Sequence, residues 1–309
     1  MSKDKYKVKN WSSYNEGLKK RGSLCLWIET GVAEHWQHTP TEKKRGAQKE
    51  YSDTAIELCL TIRKIYHLPL RQTEGFMESF FRLTKVDVKV PHYSVICRRS
   101  QSLKVDLCTS GNRPVTDIVV DSTGLKVYGE GEWKVRKHGV GKHRTWMKLH
   151  VAVDEQTQQI EAVTLTTNAV DDAAEVDSLL KQIKKPVGSL KGDGAYDKKK
   201  VRKRLKADNI EQVIPPQHNA VISDGKHDYL DKRDQDLADI ARIGRAAWKV
   251  ESNYHQRSKS ETTMFRYKTI IGDKLSSRIK ENQLTEVRIG CKILNITLQT
   301  TKPMSVKVA

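Results

Sequence analysis

The chain has 309 residues and carries 56 Lys and Arg against 38 Asp and Glu, a formal net charge of +18. That length allows two domains, and the cationic excess is a standing attraction for a polyanion, nucleic acid first. Short apolar runs exclude a membrane-spanning helix, and the polar start MSKDKYKVKN excludes a secretion signal. Five scattered cysteines without a Cys-x-x-Cys pair exclude a disulfide framework and a zinc ribbon.

Residues 1–50 are polar and basic. Ser13 to Glu16 has capping-box spacing and predicts a short helix stopped by Gly22. From Asp53 the pattern turns helical, with Ala55, Ile56, Cys59, Ile62 and Ile65 recurring at three and four. Pro69 ends that helix, a second begins near Leu70, and Pro91 opens a third over about 91–104. The last presents Arg98, Arg99 and Lys104. This pair, about residues 70–104, reads either as a helix-turn-helix reader of the major groove, with Arg98 and Arg99 on DNA, or as a plain scaffold pair.

Composition shifts near Gly111, which predicts a helical DNA-binding domain over 1–110 and a catalytic domain over 111–299, with 300–309 as a tail. Asp117 to Asp121 reads as a buried strand that delivers Asp121 to its end, with Ser122-Thr123-Gly124 turning away and a further strand from Leu125 to Tyr128. Asp121 is either a chemical group or an ordinary turn former. The basic run Lys134 to Arg144, with Lys142 and Arg144, is either a solvated hairpin or one that touches DNA backbone. Strands follow at 145–153 and 159–166, then a helix over 171–184. In Gly192-Asp193-Gly194 the flanking glycines clear space around Asp193, which we assign to chemistry; Asp197, just before the helical run 198–207, suits an N-cap. That lysine-rich helix presents a solvated face or a second DNA-backbone contact. Another strand covers 211–214.

The stretch Ala238 to Lys274 contains Tyr254, Arg257, Glu261 and Lys268 at offsets 0, 3, 7 and 14. On a regular α-helix these fall within about 60° of one another. Two basic groups, a phenol and a carboxylate on one stripe suit a phosphate and a metal ion together; the alternative is a solvated charged face. Acids thus stand on the first strand (Asp121), at the end of the fourth, a short strand that leads into Gly192 (Asp193), and on the last helix (Glu261). Three converging carboxylates can hold two divalent cations for in-line attack on a phosphate, and magnesium is the hard, oxygen-seeking choice.

Tyr254-x2-Arg257-x3-Glu261-x6-Lys268, with VVDSTGLKVYGEGEW, KHGVGKHRTWMKLH, GDGAYD and the GRAAWK run, resembles the DDE transposases of bacterial insertion sequences, in the subgroup with a short, uninterrupted catalytic domain. The resemblance covers about residues 111–290. It implies an α/β, ribonuclease-H-like fold, a metal triad of Asp121, Asp193 and Glu261, and two Mg2+ ions that Mn2+ can replace. Arg257 and Lys268 would hold phosphates near the cut end, and Tyr254 would position that strand. The implied partners are double-stranded DNA, as terminal inverted repeats and target, and a second copy of the chain on synapsis, with no membrane and a cytoplasmic location. A structure-selective nuclease of the same fold and a DNA-binding repressor are the alternatives. The three intact acids disfavour the repressor, because binding alone does not need them.

Overall fold

The computed structural model describes residues 5–39, 46, 48–109, 114–127 and 146–308. It divides into two compact units, Met1–Cys108 with Ile279–Ala309, and Thr109–Arg278. The sequence reading places 279–299 in the catalytic domain and leaves 300–309 as a tail; in the structure both segments belong to the helical unit.

The first unit contains β1 (Lys5–Val8), α1 (Trp11–Arg21), α2 (Leu24–Trp27), α3 (Asp53–Ile65), α4 (Leu70–Thr84) and α5 (Tyr93–Ser100). It is completed by the last two elements of the chain, α11 (Lys280–Thr300) and β8 (Ser305–Val308). Ser52 caps α3 by accepting the Ala55 N–H at 3.0 Å. The apolar positions Ile56, Cys59 and Ile62 are fully buried, against α4, α5 and α11. Lys64 on α3 meets Glu286 on α11 at 2.9 Å with both side chains largely out of water. β8 pairs antiparallel with β1. The third helix is shorter than the sequence suggests: His92 caps it and it stops at Ser100.

The second unit is a mixed sheet with helices. Its strands are β2 (Thr116–Val127), β3 (Trp146–Asp154), β4 (Ile160–Thr167), β5 (Val187–Lys191), β6 (Glu211–Val213) and β7 (Lys274–Leu275). The order across the sheet is β4-β3-β2-β5-β6, with β7 added to the far end of β2. β2, β3 and β4 form an antiparallel meander, while β5 and β6 run parallel to β2. The helices are α6 (Val176–Leu180), α7 (Lys199–Ala207), α8 (Asp231–Ile243), α9 (Arg245–Glu251) and α10 (Ser258–Arg266). Side chains alternate across the sheet. Ile118, Val120, Ala152 and Ala162 pack with Val176, Leu179, Val201 and Leu205 of α6 and α7. α10 packs on β2 and β3 and buries Ser260, Thr263 and Met264.

Three expectations need correction. Residues 122–124 do not turn: β2 continues as one strand to Val127, because β3 pairs with it from Ile118 through Lys126. Gly124 fits there closely, since a Cβ would come within 3.1 Å of the Trp146 ring and that ring would have to shift. The helix over 171–184 is reduced to a 3-10 turn at Asp172–Glu175 and the five-residue α6. Asp197 is not an N-cap. Its carboxylate, nearly closed to water, accepts from Arg202 at 3.0 Å, Arg233 at 3.3 Å and the Gln217 N–H at 3.1 Å.

Arg202 is fully buried and also donates to the Ile214 carbonyl at 2.8 Å. Removing one partner of such a pair leaves an uncompensated charge. Arg202→Met is therefore expected to cost about 3–5 kcal/mol in urea unfolding, whereas Lys200→Met, on the exposed side of α7, should stay within about 0.5 kcal/mol.

Candidate functional site

β2 is longer than its parallel neighbours. β5 pairs with it only as far as Val119↔Lys191, and β7 joins the same strand at Lys126↔Lys274. Between those pairings lies a stretch of β2 that contains Asp121. A crevice past the carboxyl end of a parallel strand is where α/β sheets bind ligands. Asp121 pairs across to Val151 on β3 and its side chain faces α10: Oδ2 accepts the Ser260 hydroxyl at 3.0 Å, while Oδ1 accepts the Ser122 N–H at 2.8 Å. Asp193 follows β5 by two residues, is half-buried, and accepts the Ala195 N–H at 2.9 Å.

The segment with the third acid is three kinds of helix in series. Tyr254–Arg257 is a 3-10 turn, Ser258–Arg266 is α10, and Tyr267–Ile271 is π-helical. A single regular stripe is thus not what forms. Arg257 and Glu261, four apart, form an ion pair, and Arg257 Nη1 also lies 3.8 Å from Asp121 Oδ2. The Arg257 guanidinium stands 5.9 Å from the centre of the Tyr254 ring. Lys268, on the π-helical turn, is exposed.

These groups act on one another electrostatically. Burial raises the Asp121 carboxyl above the ordinary range; Ser122, Ser260 and Arg257 pull it down, and the Asp193 carboxylate pushes it up. Burial likewise raises the Tyr254 phenol, which feels Arg257 and all three carboxylates. For Arg257, burial works against the charge, but Tyr254, Glu261, Asp121 and Asp193 together overcome it and raise its pKa. One guanidinium therefore interacts with the whole acid set.

Among the described residues, no three His, Cys, Asp or Glu side chains are gathered closely enough to hold a metal ion. Asp121 and Asp193 nevertheless fit a hard cation. Both offer oxygen, and Asp121 lies under a repulsion from Asp193 that a divalent ion would relieve. Glu261 faces Arg257 in the arrangement seen.

Of the other anticipated contacts, Arg98 is exposed on α5. Arg99 is committed inside its unit, donating to the Tyr51 carbonyl at 2.8 Å and pairing with Asp53. Lys142 and Arg144 lie outside the described residues. Two features carried no signal in the sequence. Ser260 looks like any helix serine until the fold aims it at Asp121. Lys191 is a buried lysine held by Glu155 at 2.5 Å, and Glu155 in turn accepts from Asn253 at 3.4 Å, just before Tyr254.

A family model described as "Transposase DDE domain" matches residues 114–296, and a second of the same description matches residues 19–130. Among solved structures, the chain is similar to the piggyBac transposase synaptic complex with hairpin DNA, at 11% identity over 92% of this chain and 75% of that chain, with TM-score 0.42. It is also similar to the Drosophila P element transposase strand transfer complex, at 10% identity and TM-score 0.33, over 67% of this chain and 48% of that one. The chain thus spans about half the length of the P element protein.

Ser260→Ala removes a donor that lowers the Asp121 carboxyl. A carboxyl-carbon NMR titration should find it moved further up. The sign for stability follows: with a folded value above the unfolded one, Asp121 contributes stability at low pH that is lost as pH rises through the folded value. In Ser260→Ala that loss should come at higher pH.

Proposed function

The chain belongs to the DDE transposase family, and from that premise we propose that it is the transposase of a bacterial insertion sequence acting on the terminal inverted repeats of its element. The helical unit recognises the repeats, and the second unit hydrolyses a phosphodiester at each end and transfers the freed 3′-hydroxyls into target DNA. A second copy of the chain joins on synapsis of the two ends, and the work is done in the cytoplasm. No helix among the described residues is long and apolar enough to cross a membrane.

Asp121, Asp193 and Glu261 are the residues that would hold two Mg2+ ions, with Mn2+ able to substitute. Such ions supply Lewis-acid stabilisation of the attacking and leaving oxygens. The chain's own side chains do the rest. Arg257 and Lys268 grip phosphate oxygens, for which a guanidinium's planar fork is the better geometry. The Tyr254 ring orients the strand, and Ser260 fixes the Asp121 rotamer. What supports the reading above all is the Arg257 guanidinium, set between Asp121 and Glu261. A cation placed among the acids is poised to exchange those carboxylates for the substrate's phosphate, leaving them for metal. The basic excess of the chain supports the choice of substrate.

Glu261→Gln is expected to retain binding of the element's ends in a mobility-shift assay and to lose Mg2+-dependent cleavage. Undiminished cutting by that variant would remove Glu261 from the site. Arg257→Ala should weaken complexes with the ends by at least about tenfold, with a far smaller change in thermal unfolding. Chelation by EDTA should stop cleavage while leaving end binding in place.

A further inference from the structure

A second feature of the catalytic unit lies beside these acids. The loop after Asp193 and the loop after β6 form an open groove of about 510 Å3, floored by Gly194, Ala195 and Pro216 and walled by His218, Arg245 and Lys249. No Asp or Glu is among the described residues that line it, which sets it apart from the carboxylates next door. Two observations connect it to them. Ala195, on the groove floor, donates its N–H to the Asp193 carboxylate. The Tyr254 ring carries Lys249 at 5.4 Å and Arg257 at 5.9 Å, so a single ring links the groove to the signature arginine.

The walls are also held in place. Arg245 donates to the Pro216 carbonyl at 2.9 Å, which ties α9 to the floor. Trp248 is buried under the same helix, donating to Asp236 at 3.2 Å, and this turns Lys249 outward, where it is exposed. Glycine at 194 keeps the floor low. A cationic, open-ended groove with aromatic character at one end is what tracks a single nucleic-acid strand by its phosphates.

We propose that this groove is the seat of a single DNA strand on one side of the scissile phosphate, with Arg245 and Lys249 on its backbone phosphates and Tyr254 at the junction with the acid site. It deepens the transposase reading and rests on it only for what happens to the strand at Asp121 and Asp193.

The test uses the full chain and a fluorescein-labelled oligothymidylate, titrated over a series of salt concentrations, beside a blunt duplex of matched length. Lys249→Ala is expected to weaken single-strand binding about tenfold and to reduce the salt slope by about 0.7, one phosphate contact on a single strand. Lys249→Arg should restore both. Lys181→Ala, at an exposed lysine paired with Asp177, should do neither. Because a chain of this charge binds DNA at many places, a 5-iodouridine-substituted strand locates the contact: photo-crosslinks are expected at His218 or Tyr254 and should fall in Lys249→Ala. Crosslinks absent from both residues, or Lys181→Ala matching Lys249→Ala, overturn the proposal, as does equal weakening of duplex and single strand. Asp193→Asn separates the two readings. It should keep single-strand binding and lose cleavage; if it still cuts, the acid site has been misassigned while the groove result stands.

Discussion

Asp121 sits mid-strand, largely removed from water, with a second carboxylate acting on it and a third on the helix that covers it. Acids so placed repel one another and resist ionisation, and the protein answers by putting Arg257 among them. Its position follows from the 3-10 turn that precedes α10, which sets the guanidinium one helical turn ahead of Glu261 and 3.8 Å from Asp121. Ser260 and the Ser122 N–H take up the oxygens of Asp121, so that this carboxylate has a defined rotamer before any substrate arrives. Preorganisation of that sort is what an electrostatic site needs, because donors already in place cost no rearrangement during reaction.

The sheet makes room for this. β5 leaves β2 at Val119, two residues before Asp121, and β7 does not return until Lys126. The interval between them is where the loop with Asp193 turns aside, guided by Gly192, whose missing Cβ lets the Tyr196 ring lie against the backbone. The buried Arg202–Asp197 pair then fixes the segment after Asp193 to α7, and through Arg233 to α8. A network with this reach makes the acid loop a rigid part of the scaffold.

Much of this was legible in the chain itself. Helices α3 and α4 announced themselves by apolar spacing and a proline break, while chemistry and resemblance nominate Asp121, Asp193 and Glu261 as the candidate acids. Other features depend on partners distant in sequence. Ser122-Thr123-Gly124 has the composition of a turn, and only pairing with β3 keeps it extended. Asp197 has the local look of a helix cap, but Arg233, far along the chain, claims it. The stripe Tyr254 to Lys268 assumed one helical period, and the backbone uses three. Arg99 counted as surface charge until the fold set Asp53 and the Tyr51 carbonyl against it.

The antiparallel pairing of β1 with β8, together with the Lys64–Glu286 bridge, has a temporal meaning. Residues 5–108 cannot reach their final packing until α11 and β8 exist, and those are synthesised after the entire intervening domain. On the ribosome, the middle of the chain has the chance to fold first and the ends must wait. The unit proposed to recognise the element's ends is therefore assembled last, and a message cut short before residue 279 would yield a product that contains every strand of the central sheet but lacks the helix that completes the other half.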